Sequence, residues 1–340
     1  MKALVFTGYH EMEVQERPMP VLKDDKSVIV RVRAMGICGS DLHIYHNRHA
    51  FAKYPIVPGH EVVGEVYQIG AAVSTLAVGD HVVLEPIQYC GHCYPCRRGR
   101  GNVCENLWVI GAHCDGGCQE YYMQPEQNWH KIPDDLSWEQ AVMIEPYTIG
   151  AQMIARGQVG ADDTVLIHGA GPVGLITLDT AKQHGARVVV AEMLDKRLEL
   201  ARFFGADDVI DIRKEDPVEA VMRYTEGRGP TVDIDCAGLP DSLETAAKIL
   251  SPAGTIITMT FSDKAVPIQV SQITLKELTI VGSRLQIGKF KPVIESMKGE
   301  RLKRIDQLIT HTFSIDQAEE AVLTATSGGV DVGKVVIRFD

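Results

Sequence analysis

The feature that most constrains this chain is a glycine turn set between an apolar strand and a helix. Thr164-Val165-Leu166-Ile167-His168 runs straight into Gly169-Ala170-Gly171-Pro172-Val173-Gly174, a G-x-G-x-x-G. The first glycine permits a tight turn, the second lets backbone approach a pyrophosphate, and the third lets the next helix pack close to the strand. The helix N-terminus then offers free N–H groups and the positive end of its dipole to the phosphates. Such a turn alone is weak evidence, but here an acid also closes the following strand. Glu192 stands about 20 residues downstream, where a carboxylate binds the ribose hydroxyls of NAD and repels a 2′-phosphate. Met193 offers no cation to such a phosphate, although Lys196 and Arg197 lie slightly further on.

Around this turn the pattern alternates strands with helices. Apolar runs at Arg187–Ala191, Asp208–Ile210, Val232–Asp235, Thr255–Met259 and Thr279–Val281 read as strands. Helical periods fill Pro172–His184, Asp195–Phe204, Pro217–Tyr224 and Ser242–Leu250. Continuous apolar strands separated by helices predict a parallel sheet covered on both faces. The N-terminal part has a different texture. Val28–Ala34 alternates apolar and basic residues, and Glu61–Val66, Asp80–Leu84 and Gln119–Gln124 read as further short strands. Gly59, Gly64, Gly70 and Gly79 punctuate them, and a last strand is expected over Gly333–Phe339. A length of 340 residues fits two domains.

Charge and hydropathy narrow the function. Lys plus Arg is 34 and Asp plus Glu is 45, giving a net charge of -11. That balance argues against nucleic acid or an anionic membrane as partner. No apolar run approaches the roughly 18 residues that span a bilayer. The opening Met1–Thr7 turns polar too soon for a secretory signal, so a cytoplasmic location is expected.

The cysteines carry the second strong signal. Cys90, Cys93, Cys96 and Cys104 form C-x2-C-x2-C-x7-C. Short spacers let four thiolates converge on one ion, the closed tetrahedral shell of structural zinc, here in a lobe near 88–106. An iron–sulfur site of similar spacing carries a proline after its last cysteine, and Glu105 stands there instead. His92 lies inside the lobe but four thiolates already fill a shell. Cys114, Cys118 and Cys236 read as small core or pocket residues. A second, asymmetric donor set is scattered: Cys38 within Gly36–His43, then His60-Glu61, then Glu145. One thiolate, one imidazole and one or two carboxylates leave an open position, as catalytic zinc requires, although a lone cysteine or histidine is more often an ordinary core residue.

Taken in order, these motifs resemble the zinc-dependent medium-chain alcohol and polyol dehydrogenases. The likeness rests on Gly36–His43, Gly59-His60-Glu61-Val62-Val63-Gly64, Gly79-Asp80-His81-Val82, the four-cysteine lobe, Asp115-Gly116-Gly117, Ile144-Glu145-Pro146 and the glycine turn. It covers nearly the whole chain. Glu61 with Glu145, Phe51–Pro55 and Gly282-Ser283-Arg284 tilt it toward the polyol, threonine and sugar-acid branch, and overall likeness toward hexonate dehydrogenases of the L-gulonate 5-dehydrogenase type. His81 replaces a common arginine, and Cys118-Gln119 replaces an aromatic-alanine pair.

The resemblance implies an α/β architecture: a GroES-like β-rich catalytic domain over 1–147 and 288–340, with a Rossmann domain over 148–287 inserted into it. It implies two zinc ions per chain and NAD as cofactor. Cys38, His60 and Glu145 would hold the catalytic zinc, with Glu61 completing the shell or alternating with Glu145. Ser40 and His43 would relay the proton released from the substrate hydroxyl. Gly169, Gly171, Pro172, Val173, Gly174, Glu192, Arg197 and Ser283 would hold the dinucleotide. Arg284 would grip a carboxylate of a sugar-acid substrate, with Lys53 and Arg48 as weaker candidates. Polyols, hexitol phosphates and threonine are the alternative substrates, and a non-catalytic sensor of NAD redox state is the alternative function. A homodimer or homotetramer would form through Leu278-Thr279-Ile280-Val281.

Overall fold

The computed structural model describes residues 1–261, 264–329 and 331–340. The chain divides into two compact units, Met1–Pro146 with Ile287–Asp340, and Tyr147–Gln286. The first opens with an antiparallel hairpin, β1 (Lys2–Gly8) and β2 (Glu11–Glu16), followed by β3 (Ser27–Ile37), α1 (Gly39–Tyr45), β4 (Glu61–Ile69) and β5 (His81–Leu84). The short strands β6 (Ile87–Gln88) and β7 (Trp108–Val109) flank the cysteine lobe, which holds α2 (Tyr94–Arg97). Then come β8 (Tyr121–Pro125), β9 (Trp129–Lys131), α3 (Trp138–Val142) and α4 (Ile144–Gly157), which carries the chain into the second unit.

The second unit alternates strand and helix: β10 (Thr164–His168), α5 (Pro172–Gln183), β11 (Arg187–Glu192), α6 (Asp195–Phe203), β12 (Asp208–Asp211), α7 (Pro217–Tyr224), β13 (Val232–Asp235), α8 (Ser242–Ile249), β14 (Thr255–Thr258), α9 (Val270–Lys276) and β15 (Thr279–Gly282). Its six strands are all parallel, in the order β12-β11-β10-β13-β14-β15. This is the doubly wound sheet that the alternating pattern predicts. The order reverses between β10 and β13, and ligands of such sheets bind outside the carboxyl ends of the strands at that point. The tail returns to the first unit as α10 (Phe290–Ser296), α11 (Glu300–Leu308), β16 (Ile309–Ser314), α12 (Ala318–Ser327) and β17 (Lys334–Arg338).

In the first unit β3 is the spine. Val28, Val30 and Val32 are fully buried on one face of it. Its first half pairs with β8, its second half with β17, and β4 runs along the other edge. The alternating pattern ends this strand at Ala34, whereas it continues to Ile37, because Met35, Gly36 and Ile37 find partners on β17, almost 300 residues away in sequence. The strand β16, for which the sequence pattern gives no strand, pairs in parallel with β17. Gly64 lets β4 lie against β3: a Cβ there would sit 2.2 Å from the Arg31 carbonyl oxygen.

Candidate active site

Three strand ends meet in the first unit. Gly36 of β3 stands opposite Glu61 of β4 on one side and Val336 of β17 on the other. Cys38 follows the end of β3, His60 immediately precedes β4, and Lys334 heads β17. Ligand atoms of Cys38, His60 and Glu61 all lie within 4.8 Å of one another. Gly36 makes room for this: a Cβ on it would sit 2.1 Å from Glu61 Oε2.

Asp41, buried in the first turn of α1, organises the donors from behind. One oxygen accepts the Cys38 backbone N–H at 2.9 Å, and the other accepts that of Gly59 at 3.0 Å and lies 3.7 Å from His60 Nδ1. At that distance the contact is electrostatic, not a hydrogen bond, and the carboxylate makes the imidazole more basic. The Asp115-Gly116-Gly117 strap braces the same loop. Gly116 and Gly117 donate to the carbonyls of Val57 and Gly59 at 2.7 and 2.9 Å, and Asp115 accepts from the Val57 N–H at 2.9 Å. A Cβ on Gly116 would meet the Gly59 carbonyl at 2.2 Å, so the strap tolerates no side chain there.

The electrostatics suit a divalent cation. Burial opposes charge on His60, but Asp41, Cys38 and Glu145 outweigh it and raise its pKa well above the usual value. Glu145, also buried, belongs to the same field: burial pushes its carboxyl up to about 7, Glu61 adds to this, and His60 and Lys334 oppose it. A half-buried thiol and three buried acids around one imidazole are a charge set that a bound cation balances. Ser40 Oγ lies 3.5 Å from His60 Nε2, and His43 is on the exposed side of α1. Arg48 and Lys53 are exposed in the same unit.

The four-cysteine lobe is a separate, closed cluster. Its sulfur atoms also lie within 4.8 Å of one another. Backbone N–H groups of Cys90, Cys93 and Asn106 point at the sulfurs of Cys104, Cys90 and Cys104 at 3.4, 3.4 and 3.3 Å. N–H groups of His92 and Cys93 pull the Cys90 thiol down to about 6, while burial and the neighbouring sulfurs push Cys96 up to about 12. Four thiols so crowded ionise together only around a cation, which is the donor chemistry of structural zinc. His92 turns away, its Nδ1 2.9 Å from the Cys90 carbonyl.

In the second unit the glycine turn has the geometry its sequence requires. Gly169 has φ of +90°, Gly171 caps α5, and a Cβ on Gly174 would lie 2.0 Å from the Gly169 carbonyl. Nothing lies within 4 Å of the position of a Cβ on Gly171, so backbone is open there to a ligand. Glu192 is buried and accepts the N–H groups of Ala170, Met193 and Leu194 at 2.9, 2.7 and 3.1 Å. Arg197 Nη1 stands 4.0 Å from Glu192. Ser283 is buried and Arg284 partly buried, just past the end of β15.

With this geometry in place, similarity to known proteins decides the family. Residues 24–134 match the alcohol dehydrogenase GroES-like domain, and residues 172–299 match the zinc-binding dehydrogenase family. The starvation-sensing protein RspB of Escherichia coli K12 is 39% identical, over 100% of this chain and 99% of its own. The chain belongs to the zinc-dependent medium-chain alcohol and polyol dehydrogenases. Sorbitol dehydrogenase of Bacillus subtilis is 32% identical over 99% of this chain and 97% of its own, and D-xylulose reductase A of Aspergillus oryzae is 32% identical over 97% of each. The crystal structure of RspB from E. coli CFT073, complexed with the cofactor NADH, superposes with a TM-score of 0.93 at 38% identity, covering 100% of this chain and 99% of that one.

Two residues of the dehydrogenase escape sequence reading. Asp41 was legible only as part of a matching stretch, although an acid three residues after a helix-capping cysteine is a local signal. Lys334 had no signal, since a lysine at the head of a strand reads as surface. It is buried, with Nζ 2.6 and 2.7 Å from the two oxygens of Glu61 and 3.3 Å from the Ile37 carbonyl. The departures are absorbed in packing. His81 packs against Trp138 with ring centroids 4.3 Å apart, Cys118 is fully buried, and Gln119 Nε2 donates to the Gly116 carbonyl at 2.7 Å.

Removing one partner of a buried ion pair costs about 3–5 kcal/mol, whereas replacing both by apolar groups is far cheaper. Lys334→Met therefore lowers the stability of the metal-free protein by about that amount. The double variant Lys334→Met/Glu61→Met recovers most of it. Chemical denaturation of the three proteins checks the ordering.

Proposed function

We propose that this dehydrogenase oxidises a secondary alcohol of a small polyhydroxylated substrate, using zinc on the Cys38 cluster and NAD on the glycine turn. The observation that carries the reading is the convergence of Cys38, His60 and Glu61 in front of the buried Asp41. When bound, zinc lowers the pKa of the substrate hydroxyl and NAD accepts the hydride. Cys38 and His60 would hold the metal with Glu145, and Glu61, paired with Lys334, would complete the shell or alternate with Glu145. Asp41 holds the backbone beside both ligands, through the Cys38 and Gly59 N–H groups, and adds negative charge beside the His60 ring. Ser40 takes the substrate proton at Oγ and passes it toward His43 at the solvent side. The main-chain groups after Gly171 receive the pyrophosphate, and Glu192 receives the ribose.

The sorbitol dehydrogenase and D-xylulose reductase relatives support a neutral polyol ahead of a sugar acid. The hexonate reading stands second, and Arg284 favours it: it follows β15 at the carboxyl edge of the parallel sheet, where ligands of such sheets bind. A turnover panel of polyols, hexitol phosphates, aldonates and threonine decides. A neutral polyol as best substrate supports the first reading. An aldonate preference that Arg284→Ala abolishes, with polyol turnover intact, supports the second. No turnover of any alcohol by zinc-loaded protein would instead favour a non-catalytic sensor. For assembly we propose a homodimer or homotetramer through the open edge of β15, where Ile280 is 42% exposed and would otherwise be an aggregation hazard. A cytoplasmic location suits eight cysteines with no disulfide among them, and no helix among the described residues is long and apolar enough to cross a membrane.

Two zinc ions per chain are expected, with the four-thiolate ion held more tightly than the asymmetric one. Cys104→Ser should lower the unfolding temperature and the metal content together. Cys38→Ser should keep the fold and NADH binding and lose turnover. Near-normal activity in Cys38→Ser would refute its place in the site.

NAD should be preferred over NADP, because Glu192 faces the position of the extra phosphate. Glu192→Ala should narrow the preference by weakening NAD and admitting NADP. Steady-state kinetics with both cofactors read this directly, and equal efficiency in the parent enzyme would mean that Lys196 or Arg197 dominates.

A further inference from the structure

A buried histidine–aspartate pair outside the chemistry above links β10 and β13, the strands between which the sheet order reverses: His168 closes β10, and Asp233 is the second residue of β13. His168 Nε2 lies 3.0 Å from Asp233 Oδ2, with the side chains 8% and 1% exposed. In the register of the two strands His168 stands opposite Asp235 and Leu166 opposite Asp233, so these polar side chains share one face of the sheet. Asp235 is committed elsewhere: it accepts the N–H groups of Ala237, Gly238 and Leu239 at 2.9, 2.8 and 2.9 Å, holding the loop after β13. The His168 carbonyl in turn accepts the Cys236 N–H at 3.0 Å. The loops that leave the two strands are packed together. A Cβ on Gly169 would lie 3.1 Å from the Ala237 Cβ, and one on Gly174 would lie 3.7 Å from the Cys236 Cβ.

Resting on the reading of the glycine turn as the NAD site, we propose that His168 and Asp233 are positioning residues for the dinucleotide. The pair locks the end of β10 against β13 and so sets the spacing of the two loops at the point where a doubly wound sheet takes its ligand. Sheet stability alone does not call for such a pair. Its neighbours Leu166, Ile167 and Ile234 are fully buried apolar residues, and apolar side chains of similar volume hold an interior at least as well as a buried ion pair. What the pair adds is direction: one hydrogen bond at a defined angle fixes the end of β10 against the body of β13, where packing alone tolerates small slips. Burial opposes charge on His168, but Asp233 and Asp235 outweigh it and raise its pKa, in keeping with a charge-assisted bond.

The test is titration of the zinc-loaded enzyme with NADH, followed by the fluorescence of the bound nicotinamide. His168→Leu/Asp233→Leu removes the pair without leaving a buried charge unpaired. It should keep the parent unfolding temperature in the absence of NADH and the parent kcat at saturating NAD. Its Kd for NADH should rise about tenfold, while His168→Gln, which can still donate to Asp233, stays within about threefold of the parent. If the double variant does not fold, His168→Asn, too short to span the gap, replaces it and should show the tenfold loss that His168→Gln escapes. A parent-like Kd in the variant lacking the bond overturns the proposal and leaves the NAD reading standing. A loss of affinity matched by an equal loss of unfolding temperature also overturns it, as a merely structural effect. If the parent itself binds no NADH, the NAD reading fails and this inference falls with it.

Discussion

The first unit is organised around the ion pair between Glu61 and Lys334. Both groups are buried, and two charges taken out of water cost several kcal/mol each unless every oxygen and proton is met. Here the ammonium meets both carboxylate oxygens and the Ile37 carbonyl. The pair thus ties the head of the last strand to the head of β4 and the end of β3, the two places that carry the donors Cys38, His60 and Glu61. Gly36 is the steric counterpart, since any side chain there would occupy the space of the Glu61 carboxylate. The fold and the site are therefore one problem: the long-range pairing of β17 with β3 is also what fixes Glu61.

What the sequence made legible follows from the range of the forces involved. The glycine turn, the parallel strands around it and the four-cysteine lobe are local: each is specified by residues within one strand–turn–helix or one loop, and each appears as read. Lys334 was illegible because its environment is created by a strand pairing across nearly the whole chain. The extension of β3 past Ala34 and the strand character of Ile309–Ser314 were missed for the same reason, since both depend on β17 as a partner. Asp41 lies between these cases. Its position at the start of α1 is local, but its reach to Gly59 and His60 depends on the loop that the Asp115–Gly117 strap braces.

The two sulfur-containing clusters differ in the way their chemistry requires. The lobe is symmetrical, made of one donor type on one short segment, with main-chain N–H groups directed at its sulfurs. It can be assembled by local folding around an ion. The Cys38 cluster draws its donors from separate strands and mixes thiol, imidazole and carboxylate. It also holds more acid than a single cation needs, with Asp41 bound to backbone and Glu61 bound to Lys334. On the proposed reading this excess offers a metal two candidate carboxylates, Glu145 and Glu61, of which Glu61 already has a cationic partner in Lys334.

The placement of Glu192 gives the proposed cofactor preference a physical basis. A flexible surface carboxylate could swing aside to admit a phosphate, and its repulsion would be screened by solvent. Glu192 has neither freedom. Both oxygens are tied to backbone N–H groups, one to Ala170 inside the glycine turn and the other to Met193 and Leu194. Moving it would break three hydrogen bonds and loosen the glycine turn. Arg197, 4.0 Å away, offsets part of the negative charge but is itself held on the carboxylate. The bonds that shape the turn thus also fix the acid beside it, so on the proposed reading discrimination at the ribose would rest on the same few interactions that shape the turn.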